Sequence, residues 1–517
     1  MNGSSIVATS PAGRSDPALR GVIVAGREGL SAIRGNSTLL VVFGLLVASW
    51  IFDFRTSSDS SLSIFLRVYL GIYVAAFGLF LVFDRNEHHR IPGLVPFLGA
   101  VTLFLIVAFS TGLFSGQTLA QMFALATPAL IYMSAAYATA RAAMTQNPFA
   151  LRRLLAVLCV GYVIAGVVVQ RAIGGELDLA TVRYQILTGA TLPAIGYLEC
   201  LLLFGLILSE WAALAAGFVV IFLSVTRTYL IAALAQFMGL LPGATRLISP
   251  RLLALTLAGL VFLAGLTEYG AFGLDRWSER LFNVKTNTGE DVTLYTRESE
   301  WNFMGNAFLR GGRTIMVGNG LASETTFYFP REIGGGSSRS IGFGHNQHLS
   351  ILFMSGLLGG GMLLFMQFLQ GIQSLQLLMR LSRLRERHSN VLFLAAWGAV
   401  IIIGVIATTF FSSALNNRSA SLWYGLGTGL FLGARARFLR ERDMAQDVAS
   451  SATTWSTQSA ANAPPPAVAR RRNRLTGASD AIDEATGGVA APSRASSLPP
   501  AVERRRRRLA ATDPRPH

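Results

Sequence analysis

The stretch 391–411, VLFLAAWGAVIIIGVIATTFF, runs for twenty-one residues without a charge. At about 1.5 Å of rise per residue, a helix of that length matches the roughly 30 Å hydrocarbon core of a bilayer. The run is too long for a strand and carries no polar stripe, so it predicts a helix with apolar surroundings on every side. Working outward with the same criterion gives further spans at 37–54, 62–83, 94–114, 118–140, 151–171, 190–208, 211–226, 228–241, 252–269, 346–372 and 419–435. The runs at 211–226, 228–241 and 419–435 are short, which predicts tilted, broken or re-entrant segments. The expected fold class is an all-α integral membrane protein of about 12 transmembrane helices.

Composition agrees. Of 517 residues 52% are hydrophobic and 14% charged, and the mean hydropathy is +0.47. Soluble domains carry nearer a quarter charged residues. The formal charge of +16 does not describe a nucleic-acid face, because the arginines sit between apolar runs and in the C-terminal tail, and Lys285 is the only lysine. No nucleic-acid partner is expected; membrane lipids are. Cys159 and Cys200 both fall inside apolar runs, so no disulfide framework is implied. The first 36 residues are polar and Arg-containing, unlike a cleavable signal peptide.

Arginine placement gives the orientation. With the N-terminus (Arg14, Arg20, Arg27, Arg34) in the cytoplasm, the short inner loops hold Arg85, Arg90, Arg141, Arg152, Arg153, Arg246, Arg251, Arg380, Arg383, Arg385 and Arg387. The short outer loops hold Arg55, Arg171, Arg183, Arg227 and Arg418. The excess lies inside, as the positive-inside rule requires. The organisation expected is a cytoplasmic segment 1–36, helices 1–9 over 37–269, one large outer loop 270–345, helices 10–12 over 346–435, and a cytoplasmic tail 436–517. The tail, rich in Arg, Pro and Ala, cannot bury a core and is expected to be disordered.

Four features converge on the outer face. Ser224-Val225-Thr226-Arg227 puts a guanidinium at the membrane surface, where it either binds an anion or snorkels to the interface. Arg183 stands in the preceding outer loop and taken alone reads as a boundary charge before it reads as a ligand. Arg297 and Trp301 are four apart and share a helix face, with Glu298 and Glu300 between them, and Gly318-Asn319-Gly320 follows. Finally, Gly344-His345-Asn346-Gln347-His348 marks the return to the membrane, ahead of Gly356-Leu357-Leu358-Gly359. Neutral histidine is the usual general base near pH 7. The two histidines are three apart, but no Cys, Asp or Glu follows at ligand spacing, so no metal is expected. The glycines permit close helix packing.

His345-Asn346 followed by Gly356-x-x-Gly359 resembles the signature of the O-antigen ligase and O-antigen polymerase superfamily. Ser224 to Arg227 is similar to that family's arginine motif between two membrane helices. Arg297 with Trp301, then Gly318-x-Gly320, is similar to the first half of its large periplasmic loop. The resemblance covers about Arg183 to Gly361, roughly a third of the chain. It implies a metal-independent glycosyltransferase of C-type architecture in the bacterial inner membrane, without a cofactor. Such enzymes take a glycan from an undecaprenyl-diphosphate carrier at the periplasmic face. Ligases pass it to a lipid A–core sugar; polymerases of O-antigen or exopolysaccharide pass it to another carrier-linked repeat unit. By the same resemblance Arg227, Arg297 and, less directly, Arg183 hold the donor diphosphate, and His345 activates the acceptor hydroxyl. Ser224, Trp301, Asn346, Gly356 and Gly359 are motif positions. A carboxylate behind His345 would be Glu298, Glu300 or Glu324. The short earlier outer loop, 172–189, tilts the reading to a ligase.

Two readings from other classes compete. A transporter of polysaccharide or lipid would carry ionisable groups deep in its spans and an internal repeat. Here Glu199 and Glu210 are the main intramembrane carboxylates, and no repeat is evident. A non-catalytic scaffold leaves the arginine and histidine motifs unexplained.

Overall fold

The computed structural model describes residues 91–159, 191–204, 227–244, 292–329, 336–341, 344–381, 389–416 and 418–461. The spans read at 37–54, 62–83, 211–226 and 252–269, most of 151–171, and the site candidates Arg183 and Ser224 lie outside the described residues. The described elements are α1 (Leu94–Phe114), α2 (Leu119–Thr145), α3 (Thr191–Phe204), α4 (Arg227–Ala244), α5 (Val292–Leu309), α6 (Gly312–Val317), β1 (Glu324–Phe329), β2 (Gly336–Ile341), α7 (Gln347–Gly356), α8 (Met362–Leu381), α9 (Asn390–Thr409) and α10 (Arg418–Ala461). Four stretches among them are long and apolar enough to cross a membrane: α1, α2, Gln347–Leu381 and α9. The architecture is mostly helical, compatible with an all-α membrane protein.

The opening stretch becomes α9, whose apolar window is 89% buried, against 39% for α1. A helix apolar all round belongs at the centre of a bundle, and α9 sits there, packed against α3, α4, α8 and α10. Between apolar surfaces in a bilayer, helices are held by close packing, so small residues line the seams. Along α10, Gly425, Gly429 and Gly433 recur every fourth residue. A Cβ on each would strike the backbone of α2 at Tyr132, Ala136 and Ala140 in turn, which makes α2 and α10 parallel neighbours. On the other side of α10, Gly427 abuts Ile401 of α9, while Gly398 of α9 abuts Gly427 and Phe431. Trp397 of α9 donates its indole N–H to the Pro193 carbonyl of α3 (2.8 Å).

The run read as a span at 346–372 overlaps the candidate span Gln347–Leu381 and is interrupted inside it: α7 ends at Gly356, whose φ is 63°, and a π-helical turn, Leu357–Gly361, leads into α8. His348 at the start of α7 stacks on Phe368 of α8 with ring centroids 5.2 Å apart. In a straight helix the twenty intervening steps would separate them by about 30 Å, so the chain folds back on itself at this turn. One expectation is corrected, the disordered tail drawn from 436, because α10 continues to Ala461. The stretch 436–461 holds six Ala and three Arg and neither proline nor glycine, so no strong helix breaker stops the helix. The chain divides after Arg442 into two compact units.

The bundle's two ends differ. At the lower end, where α9 begins, Arg152 lies over Phe393 (5.0 Å). There too Arg435 donates to Gln373 (2.6 Å), and Arg437 bonds the Gln146 carbonyl and Glu441. At the upper end, where α9 stops, lie α5, α6, the antiparallel pair β1–β2 and the head of α7. The segment from Val317 to Ser323 ties these to the bundle. Gln117, just beyond α1, donates to the Asn319 carbonyl (3.1 Å) and Ser323 Oγ (2.8 Å), and accepts from the Ala322 N–H (2.8 Å). Because α7 breaks at Gly356, the carbonyls of Phe353 and Met354 are free to accept from the N–H groups of Asn319 (2.8 Å) and Gly320 (2.9 Å). Gly318 (φ 74°) and Gly356 face each other. A Cβ on Gly318 would strike the Met354 and Ser355 backbone, and one on Gly356 that of Met316 and Val317.

Candidate functional site

On α5 the residues Arg297, Glu300, Trp301 and Met304 fall at helical spacing on one face, and α5 packs against α7. Glu300 is buried, its side chain only 2% exposed. A carboxylate there must have donors, and the turn before α7 supplies them. The main-chain N–H of His345 donates to Glu300 Oε2 (3.0 Å), and His345 Nδ1 lies 2.8 Å from the same oxygen. With Glu300 ionised, Nδ1 carries the ring proton and the Nε2 lone pair is left available. The imidazole is 52% exposed. The buried Glu300 side chain thus holds an exposed imidazole in orientation.

The neighbouring residues of the motif build this turn. Gly344 passes so close to Glu300 that a Cβ would lie 2.7 Å from Oε1 and 2.9 Å from Cδ; only glycine lets the main chain reach the carboxylate. The Gly344 N–H donates to Ser350 Oγ (2.9 Å), which donates in turn to the Asn346 carbonyl (2.7 Å). Asn346 caps α7 by accepting from the Leu349 N–H (3.0 Å). Gln347 is fully buried and accepts from the Leu415 N–H (3.1 Å). His348 points elsewhere: it is buried between Phe368 and Phe410, with Nε2 3.0 Å from Thr409 Oγ1. The two histidines thus sit in different surroundings despite their close spacing.

Of the residues singled out from sequence, the structure brings together His345, Asn346 and the α5 face carrying Arg297 and Trp301. Arg297 is half-buried one turn before Glu300. The Trp301 ring lies 6.5 Å from that of Phe411, beyond the end of α9. Arg227 is the first residue of α4. Gly356 and Gly359 stand eleven and fourteen residues past His345 and serve packing: Gly356 holds the break, and Gly359 lets Phe104 and Val107 of α1 approach (a Cβ would lie 3.1 Å from each).

Glu300 is thereby separated from its two rivals. Glu298 is exposed, and Glu324 faces Arg339 across the strand pair (3.5 Å), also exposed. The signal was present in the spacing, because Glu300 shares a face with Arg297 and Glu298 does not. Nothing in the sequence assigns Gly344 or Ser350 a role; theirs arise from a close approach that spacing does not encode. Among the described residues no three His, Cys, Asp or Glu side chains gather as metal ligands. No protein-family model matches the chain, and no curated protein matches it at a significant level, so the family likeness rests on the motif residues themselves.

Proposed function

We propose that this chain is a membrane glycosyltransferase of the O-antigen ligase type. It moves a glycan from an undecaprenyl-diphosphate carrier to a sugar hydroxyl of a lipid-linked acceptor, lipid A–core in the ligase reading, at the periplasmic face of the inner membrane. The observation that carries the reading is the His345–Glu300 pair: an accessible imidazole within hydrogen-bond distance of a buried carboxylate, at the end of the bundle opposite Arg152, Arg435 and Arg437. Arginines gather on the cytoplasmic side of membrane proteins, which supports placing His345 on the other side.

In the proposed reaction the acceptor hydroxyl attacks the anomeric carbon of the donor sugar and its proton passes to His345 Nε2. The bond between that carbon and the diphosphate oxygen breaks, and the diphosphate leaves with the bonding pair. A hydroxyl is a weak nucleophile at pH 7 unless a positioned base takes its proton during attack. Arg227 and Arg297 are proposed to stabilise the leaving diphosphate through charge-assisted hydrogen bonds, with Arg183 a further candidate. A single displacement inverts the anomeric centre. Glu300 is a positioning residue, acting through His345.

The test is deletion of the gene followed by complementation with wild type, His345→Ala, Arg227→Ala or Arg297→Ala, reading surface polysaccharide on a gel. Loss of lipid A–core-linked polymer with carrier-linked polymer accumulating, restored only by wild type, is the expected result. Single repeat units would make it a polymerase, and an unchanged pattern would return the transporter reading. Full complementation by His345→Ala would remove the proposed base.

A further inference from the structure

The connection after α2 holds two arginines that no carboxylate among the described residues neutralises. α2 ends at Thr145, and Asn147 opens the next helix, accepting from the Phe149 N–H with its side chain and from the Leu151 N–H with its carbonyl (3.0 Å each). Arg152 and Arg153 follow Phe149 by three and four residues, on its face of that helix. Both guanidinium groups lie over the Phe149 ring, Arg153 4.2 Å and Arg152 5.8 Å from its centroid, and Arg152 also lies over Phe393 of α9 (5.0 Å). Arg152 is 9% exposed, with its Nε buried and unbonded, and Arg153 is half-buried. Neither side chain has a hydrogen bond or an ion pair among the described residues. Glu441 is engaged by Arg437 (2.8 Å), which also bonds the Gln146 carbonyl at this connection.

A phenyl face attracts a guanidinium but offers no lone pair, so the N–H donors in the guanidinium plane stay unbonded. Two like charges over one ring also repel, and a largely buried charge without a counter-ion is costly. A phosphate oxyanion between the two arginines removes both penalties, because the guanidinium fork matches its oxygens. The depth of the pair selects the source of that phosphate. Phe393 is the fourth residue of α9, about 5 Å along a helix whose length matches the hydrocarbon core. The arginines therefore stand where lipid tails give way to headgroups. A zwitterionic headgroup would bring an ammonium that finds no carboxylate here, whereas an anionic one matches the two cations. We propose that Phe149, Arg152 and Arg153 form a binding site for the phosphodiester of an anionic phospholipid, at the end of the bundle remote from His345. Such a site requires only that the chain span a membrane and is independent of the His345 chemistry.

Native mass spectrometry of the full-length protein, titrated with phosphatidylglycerol or with phosphatidylcholine, tests it. Wild type should bind phosphatidylglycerol several-fold more tightly in its first binding step. Arg152→Gln and Arg153→Gln should each weaken that step about fivefold and leave phosphatidylcholine binding unchanged. Arg440→Gln, which removes an exposed charge from α10, is the control for net charge and should have little effect. Arg153 is the less buried of the pair, so its variant tests the site even where Arg152→Gln fails to fold, and melting temperatures identify that case. Equal affinity of wild type for the two lipids would overturn the proposal, as would a loss in Arg153→Gln no greater than in Arg440→Gln. Inorganic phosphate that abolished the phosphatidylglycerol preference at matched concentration would make this a site for soluble phosphate and overturn the lipid assignment.

Discussion

Replacing Glu300 by glutamine keeps the shape of the side chain and removes its charge. Both donors of His345, the main-chain N–H at 3.0 Å and Nδ1 at 2.8 Å, aim at the same oxygen, Oε2. An amide oxygen placed there keeps both bonds; an amide nitrogen there would confront the main-chain N–H, so the flipped arrangement is disfavoured. What changes is strength. A hydrogen bond to a charged group contributes about 1.5–3 kcal/mol and a neutral one about 0.5–1.5 kcal/mol, and the bond to Nδ1 must strengthen as the imidazole takes a proton. Losing the charge therefore raises the barrier by roughly 1–1.5 kcal/mol, a slowing of about five- to tenfold. The assay is single-turnover transfer from undecaprenyl-diphosphate glycan to acceptor in proteoliposomes, with the melting temperature of each variant measured alongside. In the His345→Ala background, Glu300→Gln should produce no further slowing, because groups that act as a unit are not additive. Wild-type turnover in Glu300→Gln, or losses that multiply in the double variant, would refute the coupling.

Gly344→Ala places a methyl 2.7 Å from Glu300 Oε1; it should displace the carboxylate, cost about 1–3 kcal/mol of stability as overpacking does, and slow transfer at least as much as Glu300→Gln. Asn346→Ala removes the cap on the Leu349 N–H and should cost about 1 kcal/mol, while Asn346→Asp retains it; thermal unfolding of the pair separates capping from any part in chemistry. Gly429→Leu drives a side chain into the α2 backbone at Ala136, so the protein should fail to accumulate in the membrane, as immunoblotting of membrane fractions would show. Were Gly429→Leu to insert and melt like wild type, the close seam between α2 and α10 would be wrong.

What the sequence carries and what it hides divide along physical lines. Burial in a bilayer is written in composition, so 391–411 reads as a central helix on hydropathy alone. The site is written in phase. Arg297 and Trp301 announce one face of a helix, and Glu300, three after Arg297, lies on it; Glu298, one residue on, points away. Applied to all three carboxylates, that spacing favours Glu300. The break at Gly356 is hidden because hydropathy does not sense a backbone angle. Leu357, Leu358 and the glycines continue the apolar run without interruption, yet the left-handed φ of Gly356 turns the chain back. The strand pair is hidden too: ETTFYF at 324–329 combines β-branched and aromatic residues, but a strand signal of six residues is faint beside apolar helices three times as long. These hidden features and the legible ones meet at a single point. Had α7 continued straight, Phe353 and Met354 would have spent their carbonyls within the helix, and Asn319 and Gly320 would have had nothing to bond. The segment that follows α5 would then lose two of its main-chain bonds and be held by Gln117, Thr111 and Ala108. The Gly356 break long past His345 thus bears on the proposed base indirectly, through two of the bonds that hold the segment following the helix of Glu300.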